Sequence, residues 1–476
     1  MTALVRSYIH GESARGGGEP VRLRSPLSGE TVLELDCASP GIVDAAVLDA
    51  HAAFLGFRTA TVATRGALLS AAADALQADA KRIAAMIVED IGKPVRAAMF
   101  EANRAAQLLR ACVAEIGTMR GEALPLDAVE AGVGRFGFTR RVPFGVVGAV
   151  TPFNAPANLL LQKVAPALAA GNAVVVKPHP TGSRVAVALA EALSRAGLPP
   201  GLFNVVVGDR EPAQHLAKHQ RIDVLTFTGG TEAGDALARA AGAKKFIAEL
   251  GSNAANVVLR DADLADAAKR IAAAAFEASG QQCISAQRII VASEVYDDFL
   301  SQFVAAARRL NVGNPNDETT DIGPMISLAA ADRVMAMIDE AVGGGAKCAL
   351  EATRSGCIVS PAIVCDVPRT SGLWRDEVFG PVAVVQRFGD VDEALQLAND
   401  SRFGLQGAVF TGSLASAFRF IDELDVGSLW INDASRFRLD SYPFGGVKRS
   451  GYGREGIRYA IEELSQLKFI GIRTRP

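Results

Sequence analysis

The pattern of hydrophobic and polar positions changes near residue 118 and again near residue 143. From about residue 40 to 115, apolar residues recur every three or four positions in an alanine-rich background, which predicts amphipathic helices. Gly92 and Pro94 interrupt this pattern and predict a break between two helices. Residues 119–142 carry short alternating pieces with several glycines, so they predict an extended hairpin or arm.

After residue 143, short apolar runs alternate with helical patterns. The predicted strands are GVVGAVT, 173–176, LFNVVVG and IDVLTFTG, and the predicted helices cover 156–170, 181–197 and 231–242. A second block follows Gly251, with strands near 288–291, 382–387 and 405–410. This alternation predicts an α/β fold with parallel sheets, in which ligands bind at the carboxyl ends of the strands.

Length and charge narrow the class of protein. A chain of 476 residues exceeds what one hydrophobic core usually serves, so at least two domains are expected. A net charge of −3 argues against a nucleic-acid partner, which requires a basic face. The first residues lack the apolar core of a secretory signal, and we therefore expect a cytoplasmic protein.

Neither a membrane span nor a metal site is predicted. The stretch 142–176 has a single charge, at Lys163, but its prolines divide it into pieces shorter than a spanning helix. The six cysteines form no CxxC pair, so zinc spacing is missing. His215 and His219 lie four apart without an HExxH arrangement, and we interpret them as surface histidines.

Three residues are candidates for chemistry. Cys283 in GQQCIS follows a helical run, expected over 268–279, and a glycine turn, where an accessible thiolate would be a nucleophile. Glu249 ends an apolar strand, where partial burial would raise its pKa toward that of a general base. Asn154 lies between two prolines, and its amide could donate to an oxyanion. Taken singly, each has a structural explanation: an idle thiol, a capping or salt-bridged glutamate, a turn asparagine.

A second set of residues suits a dinucleotide. Lys177 ends a strand, where an ammonium group would hydrogen-bond ribose hydroxyls. Gly229 and Gly230 separate a strand from a helix, so bare amides and the helix dipole would face a pyrophosphate, although such glycine turns are common. Glu377 and Phe379 in EVFGPV offer a carboxylate and an aromatic edge for the ribose and nicotinamide. Pro152 completes the predicted cofactor contacts.

Together and in this order, the motifs resemble those of the aldehyde dehydrogenase superfamily. They are TPFNAP, KVAPALAAGNAVVVKP, FTGGTEAG, ELGSNAAN, GQQC, EVFGPV, NDSRFGLQGAVF and YPFGGVKRSGYGREG, and they cover nearly the whole chain. The resemblance implies a Rossmann-type cofactor domain from 1–118 and 143–250, and an αβ catalytic domain from 251–450. It also implies an oligomerisation arm from 119–142 with a C-terminal strand within 451–476, giving a homodimer or homotetramer.

The resemblance further implies a mechanism. Cys283 would attack a small aldehyde, Asn154 and the Cys283 amide would hold the oxyanion, and Glu249 would activate the water that hydrolyses the thioester. NAD or NADP would accept the hydride. Lys163, nine residues beyond Asn154, matches a lysine that is often found near this active site.

Several residues depart from the family pattern. FTGG replaces the usual FTGS, which removes a hydroxyl at Gly230. Pro180 replaces a glutamate that binds adenosine ribose, so NADP becomes feasible beside NAD, our first expectation, with His179 and Ser183 as possible additional contacts.

The tail and KPHPTGS resemble the lactaldehyde, phosphonoacetaldehyde and non-phosphorylating glyceraldehyde-3-phosphate branch, so a small hydroxy- or anionic aldehyde is the hypothesis. Some members place an anion-binding arginine where this chain has Gln282. Arg104, Arg436 and Arg438 are the alternative anion ligands, and a structural ion pair is the competing interpretation of each.

Two other functions stay open. In a CoA-acylating dehydrogenase, CoA would resolve the thioester, but such enzymes typically lack the glutamate found here as Glu249. The other alternative is a catalytically silent binding member of the fold, against which Cys283, Glu249 and Asn154 argue.

Overall fold

The helical first part of the chain is broken at the expected place. A computed structural model describes residues 2–474. Its first helices are Pro40–Phe57, Val62–Ile91 and Val95–Ile116. Gly92 ends the second helix at φ 70°, and a Cβ there would lie 2.4 Å from Cγ of Pro324. The predicted break therefore also lets the first part of the chain pack closely against the second.

One eight-stranded sheet forms the core of the first lobe. Its strands are, in order, Gly451–Tyr452, Lys245–Glu249, Val224–Thr228, Val146–Thr151, Ala173–Pro178, Phe203–Val205, Ser7–Ile9 and Glu12–Ala14. The five strands from Lys245–Glu249 to Phe203–Val205 are parallel. Their buried β-branched residues are typical of a parallel sheet that is covered on both faces. The connecting helices are Asn158–Ala170, Ser183–Arg195, Arg210–Lys218 and Thr231–Ala241. A small sheet of Ala3–Val5, Thr31–Leu35 and Val21–Arg24 lies at the N-terminus.

A seven-stranded sheet forms the core of the second lobe. Its order is Lys347–Leu350, Ala362–Cys365, Val382–Phe388, Arg288–Ala292, Ala255–Val258, Gln406–Phe410 and Ser428–Ile431, parallel except for the first strand. Its helices are Leu264–Phe276, Tyr296–Arg308, Leu328–Gly343, Gly372–Arg375, Val391–Asn399 and Leu414–Glu423. Arg354–Ser355 pairs with Ile358–Val359, and Phe403–Gly404 pairs with Val447–Lys448. The predicted α/β class is confirmed.

A three-stranded antiparallel sheet stands beside the two lobes. Arg135–Pro143 pairs along its whole length with Ser465–Arg473, and Ala123–Leu124 adds the third strand. Within 451–476, the helix Ile457–Glu463 packs against the helix Asn158–Ala170, so this segment also contributes to the first lobe.

Two helix boundaries differ from the prediction. The helix expected over 181–197 begins with a 3-10 turn, Pro180–Gly182, before Ser183–Arg195. The run expected over 268–279 is the helix Leu264–Phe276, after which Ala278 and Ser279 adopt left-handed φ values of 52° and 58°. Tertiary contact explains the second difference, because Ser279 Oγ donates to the carbonyl of Gly323 at 2.8 Å.

The nearly uncharged stretch 142–176 folds as predicted into a strand, a helix and another strand, all within the first core. Among residues 2–474, the helix Pro40–Phe57 is the one with the length and low charge of a membrane span. One face of it, including Val43 and Val47, is buried in the same core.

Candidate active site

The two lobes enclose a cleft of about 590 Å³. Its lining brings together six residues that the sequence suggested for catalysis or substrate binding: Arg104, Asn154, Gln282, Cys283, Arg436 and Arg438. They come from distant parts of the chain, so their meeting is a property of the fold.

Cys283 lies on a tight turn that lines this cleft. Gly280 starts the turn at φ 65°, where a Cβ would lie 2.0 Å from the carbonyl oxygen of Gly380. Burial raises the pKa of the Cys283 thiol to about 12, against the opposing charge of Arg438. The resting thiol is therefore protonated at neutral pH, and attack by sulfur requires a proton acceptor.

Asn154 is fixed beside the cysteine turn. Its Nδ2 donates to the carbonyl oxygen of Gln281 at 2.9 Å, two residues before Cys283. An amide nitrogen has two N–H groups, so the second is left for another acceptor in the cleft. This arrangement suits a donor to an oxyanion on a carbon bound to the cysteine sulfur.

Glu249 is a buried carboxylate with both oxygens free. It ends the strand Lys245–Glu249, is 2% exposed, and in the described part of the chain neither Oε1 nor Oε2 has a hydrogen-bond partner. Burial, and then repulsion from Glu455, raise its pKa well above the ordinary value, although Arg438 and Lys163 oppose this. A carboxylate in this state is a competent general base once it is ionised.

A buried ion network lies behind Glu249. Lys163 Nζ donates to Glu455 Oε1 at 2.9 Å and to Thr226 Oγ1 at 3.1 Å. Arg438 donates to Glu455 Oε2 at 2.8 Å, and its guanidinium lies 3.6 Å from the ring centre of Phe444. Burial raises the pKa of Glu455, but Lys163 and Arg438 outweigh it and lower that pKa to about 2. Sequence reasoning missed Glu455, although it lies within the quoted motif YGREG.

The predicted cofactor residues lie where strands of the first lobe end. Lys177 is buried near the end of Ala173–Pro178, and burial lowers its pKa to about 8. Thr228 precedes Gly229 and Gly230, and its buried Oγ1 has no partner among the described residues. A Cβ on Gly230 would meet open space, whereas a Cβ on Gly229 would lie 2.6 Å from the ring of Phe227. Open space and an unpaired hydroxyl at a helix N-terminus fit a bound pyrophosphate.

One detail of this prediction is wrong. The amide of Gly229 is not bare, because it donates to the carbonyl of Glu249 at 3.0 Å. Gly230, which precedes the helix Thr231–Ala241, stays exposed.

Glu377 and Phe379, which were predicted to contact the nicotinamide and its ribose, follow the helix Gly372–Arg375. Glu377 Oε1 accepts from the amide of Ser252 at 3.1 Å, and burial raises the pKa of Glu377 to about 7. Phe379 has φ 47°, and its ring meets Phe153 edge-on at 5.8 Å. Phe153, which follows the predicted contact Pro152, was not singled out from the sequence, although the motif TPFNAP contains it.

His179 and Ser183 do not offer charge or a free hydroxyl to an NADP phosphate. Ser183 is fully buried, and its Oγ donates to the carbonyl of His179 at 3.3 Å. His179 Nδ1 pairs with Thr181 Oγ1 at 2.8 Å, and burial lowers the pKa of His179 to about 4. The histidine is therefore neutral at physiological pH, so neither residue brings a positive charge to a phosphate.

All three candidate arginines are in ion pairs, as the competing interpretation expected. Arg104 Nε donates to Asp440 Oδ2 at 3.0 Å, and Arg438 binds Glu455. Arg436 pairs with Glu277, and its Nε donates to Gln282 Oε1 at 3.1 Å. Arg104 and Arg438 line the cleft, but their carboxylate partners Asp440 and Glu455 do not.

His215 and His219 pair with Asp44 at 2.6 and 3.6 Å and do not line the cleft. Across residues 2–474, the structure has no group of three or more His, Cys, Asp or Glu side chains suited to a metal ion.

Comparison with known proteins agrees with this geometry. The model of the aldehyde dehydrogenase family matches residues 13–470. The 3-sulfolactaldehyde dehydrogenase of Priestia aryabhattai is 39% identical over 464 residues, which cover 97% of each chain. The lactaldehyde dehydrogenase of Methanococcus aeolicus is 36% identical, over 86% of this chain and 87% of that protein.

A solved structure of an aldehyde dehydrogenase also matches this chain over its whole length. The NADP-dependent glyceraldehyde-3-phosphate dehydrogenase from Bacillus halodurans, complexed with NADP, superposes with a TM-score of 0.97 and 33% identity over the whole of both chains. The predicted fold class, branch and cofactor type are confirmed. The chain belongs to the aldehyde dehydrogenase family, and its reaction is the NAD(P)-dependent oxidation of an aldehyde.

Proposed function

We propose that the protein oxidises a small aldehyde through a thiohemiacetal and a thioester on Cys283. The Cys283 thiol gives its proton to a water molecule, sulfur attacks the carbonyl carbon, and the oxyanion accepts hydrogen bonds from Asn154 Nδ2 and the Cys283 amide. Bound NAD(P) supplies the hydride acceptor. Glu249 then takes a proton from water, which attacks the thioester and releases the carboxylate and the Cys283 thiol.

The observation that carries this proposal is the unpaired state of Glu249. Two buried carboxylate oxygens without partners are costly, and proteins usually satisfy such groups. Glu249 is also close enough to Cys283 to raise the pKa of the thiol. A base held close to the nucleophile and free to accept a proton supports hydrolysis by water rather than transfer to CoA.

The substrate we propose carries a hydroxyl or an anionic group beyond its aldehyde. The cleft is lined by five cationic side chains and three carboxylates, the cations being Lys93, Arg96, Arg104, Arg436 and Arg438. The carboxylates that hold Arg104 and Arg438 lie outside the lining, so the guanidinium groups are oriented by anions from outside the cleft. The names of the relatives, which include 3-sulfolactaldehyde and lactaldehyde dehydrogenases, support the same class.

A panel of aldehydes tests the proposal. Release of NADH and NADPH is measured with lactaldehyde, 3-sulfolactaldehyde, glyceraldehyde-3-phosphate, succinic semialdehyde, phosphonoacetaldehyde and propanal. We expect kcat/KM to be highest for a hydroxy or anionic aldehyde. A clear preference for propanal would contradict the substrate proposal without affecting the mechanism.

One arginine variant tests whether a guanidinium group in the cleft binds the anionic group of the substrate. Arg104→Gln removes a guanidinium from the cleft, so we expect KM for the best anionic aldehyde to rise about 10- to 100-fold, as for loss of a charged hydrogen bond. KM for propanal stays unchanged. The matched control is Arg110→Gln, on the same helix, whose partner Asp74 is exposed. Equal effects on both aldehydes would exclude an anion-binding role for Arg104.

We also propose that the chain assembles as a homodimer or homotetramer in the cytoplasm, with the predicted domain limits. Large apolar residues are exposed on the three-stranded sheet, among them Phe136, Leu467 and Phe469. Exposed apolar surface of this kind marks a contact with another chain, and this sheet contains the segments predicted to form the oligomerisation arm.

A further inference from the structure

The helix behind Asn154 begins without a capping side chain of its own. Asn158–Ala170 has Ala157 at its N-cap, and alanine offers no acceptor to the first amides. Glu101, on the helix Val95–Ile116, supplies the acceptor instead. Its Oε1 accepts from the amides of Ala157 at 2.8 Å and Asn158 at 3.3 Å.

Both oxygens of Glu101 are held. Oε2 pairs with Lys93, and the Glu101 side chain is 3% exposed. A carboxylate at a helix N-terminus is stabilised by the helix dipole, and its amide bonds are stronger than those to a neutral acceptor. Removing it would leave buried amides and a mostly buried ammonium group without a partner.

Glu101 therefore fixes one end of the segment that carries Asn154. The other end is fixed because the amide of His179 donates to the carbonyl of Thr151 at 2.8 Å. Between Thr151 and Ala157 the chain contains Pro152 and Pro156, which restrict its backbone. Glu101 is in the lining of the cleft with Asn154 and Cys283, yet its carboxylate is committed to the segment and to Lys93.

We propose that Glu101 is a positioning residue for the oxyanion donor Asn154, which rests on the proposed role of Asn154 in the reaction. The carboxylate holds the backbone of Ala157 and Asn158 against the helix Val95–Ile116, so that Asn154 Nδ2 stays aimed at the reacting oxygen. Displacement of a catalytic group by about 1 Å costs about 100-fold in rate, so loss of this anchor slows chemistry without removing any reacting atom.

A double-mutant cycle tests this inference. Single-turnover NAD(P)H formation is followed with the fastest aldehyde of the panel in Glu101→Ala, Asn154→Ala and the double variant. We expect Asn154→Ala to slow hydride transfer about 100- to 1000-fold, as loss of an oxyanion donor does. Glu101→Ala slows it about 10- to 100-fold in the parent but less than about twofold in the Asn154→Ala background.

Two conservative variants keep the test valid if Glu101→Ala does not fold. Glu101→Gln retains an oxygen for the Ala157 amide and recovers most of the rate. Glu101→Asp keeps the charge but shortens the reach, and it slows hydride transfer while the cofactor Kd, measured by calorimetry, is unchanged. Asp263→Ala is the matched control, because Asp263 caps the helix Leu264–Phe276 through two amides at 3.1 Å. It leaves the rate unchanged.

The outcomes separate the two proposals. If Asn154→Ala keeps the parent rate, the proposed role of Asn154 is wrong and the inference falls with it. If Asn154→Ala is slow but the Glu101→Ala effect is equally large in both backgrounds, the positioning role alone is wrong. Parent rates in both Glu101→Gln and Glu101→Asp would also overturn it.

Discussion

In the proposed mechanism, Glu249 decides whether the thioester is hydrolysed. With Glu249→Gln, we expect one equivalent of NAD(P)H per subunit and then a stall, because the acyl-enzyme forms but water is not activated. Steady turnover falls by about 100-fold or more, the usual contribution of a general base. Stopped-flow absorbance measures the burst, and mass spectrometry of the intact protein measures the acyl adduct on Cys283.

The pH dependence of deacylation gives an independent check. Only the ionised carboxylate accepts a proton, and burial raises the pKa of Glu249 well above its ordinary value. Deacylation therefore speeds up as pH rises through that higher pKa, and the Glu249→Gln variant loses this rise. Cys283→Ser is the control and shows no burst. Steady wild-type turnover by Glu249→Gln, or acyl-CoA as the product when CoA is added, would contradict hydrolysis by Glu249.

Residues whose role follows from a local motif were predictable, and residues defined by a distant partner were not. Cys283 and Asn154 were predicted because the motifs around them, taken together and in order, resemble those of one family, whereas each residue taken singly has a structural explanation. Asp440 lies 336 positions from its partner Arg104, and Gln282 lies 154 positions from its partner Arg436. No local pattern links such positions, so only the folded chain decides whether a guanidinium is paired.

The ion network of Lys163, Glu455 and Arg438 joins the helix Asn158–Ala170 to the segments before the C-terminal helix. Glu455→Gln leaves two buried cations without their carboxylate, which we expect to cost about 3–5 kcal/mol and to lower Tm. Thermal unfolding measures the change. Glu423→Gln, in an exposed pair with Arg419, is the control and leaves Tm unchanged.

The sign of the pH effect on this network follows from the lowered pKa of Glu455. Its folded pKa of about 2 lies below the unfolded value of roughly 4.3, so its contribution to stability is present above pH 4.3 and is lost as pH falls toward 2. The Glu455→Gln variant therefore loses less stability between those pH values than the parent does. Equal losses in the two proteins would contradict this assignment.

The order of helices and strands was predictable because each element has its own periodicity. The first helices were predicted from three- and four-residue repeats, and the parallel strands from short apolar runs that alternate with helical patterns. The left-handed residues Ala278 and Ser279 were not, because alanine and serine favour the helical continuation. Their conformation depends on contacts such as that of Ser279 with Gly323, which form only when distant segments of the second lobe pack together.

At the level of the whole molecule, an apolar stripe on the helix Leu414–Glu423 supports assembly. Leu414, Phe418 and Ile421 are 71%, 55% and 53% exposed and lie on one face of the helix. If a second copy covers this face, Phe418→Arg places a charge in an apolar contact and lowers the mass in sedimentation velocity, with an unchanged circular dichroism spectrum. Leu48→Arg, exposed on the helix Pro40–Phe57, keeps the wild-type mass. A Phe418→Arg assembly of wild-type mass would exclude this face as an interface, and a monomeric wild type would exclude the proposed oligomer itself.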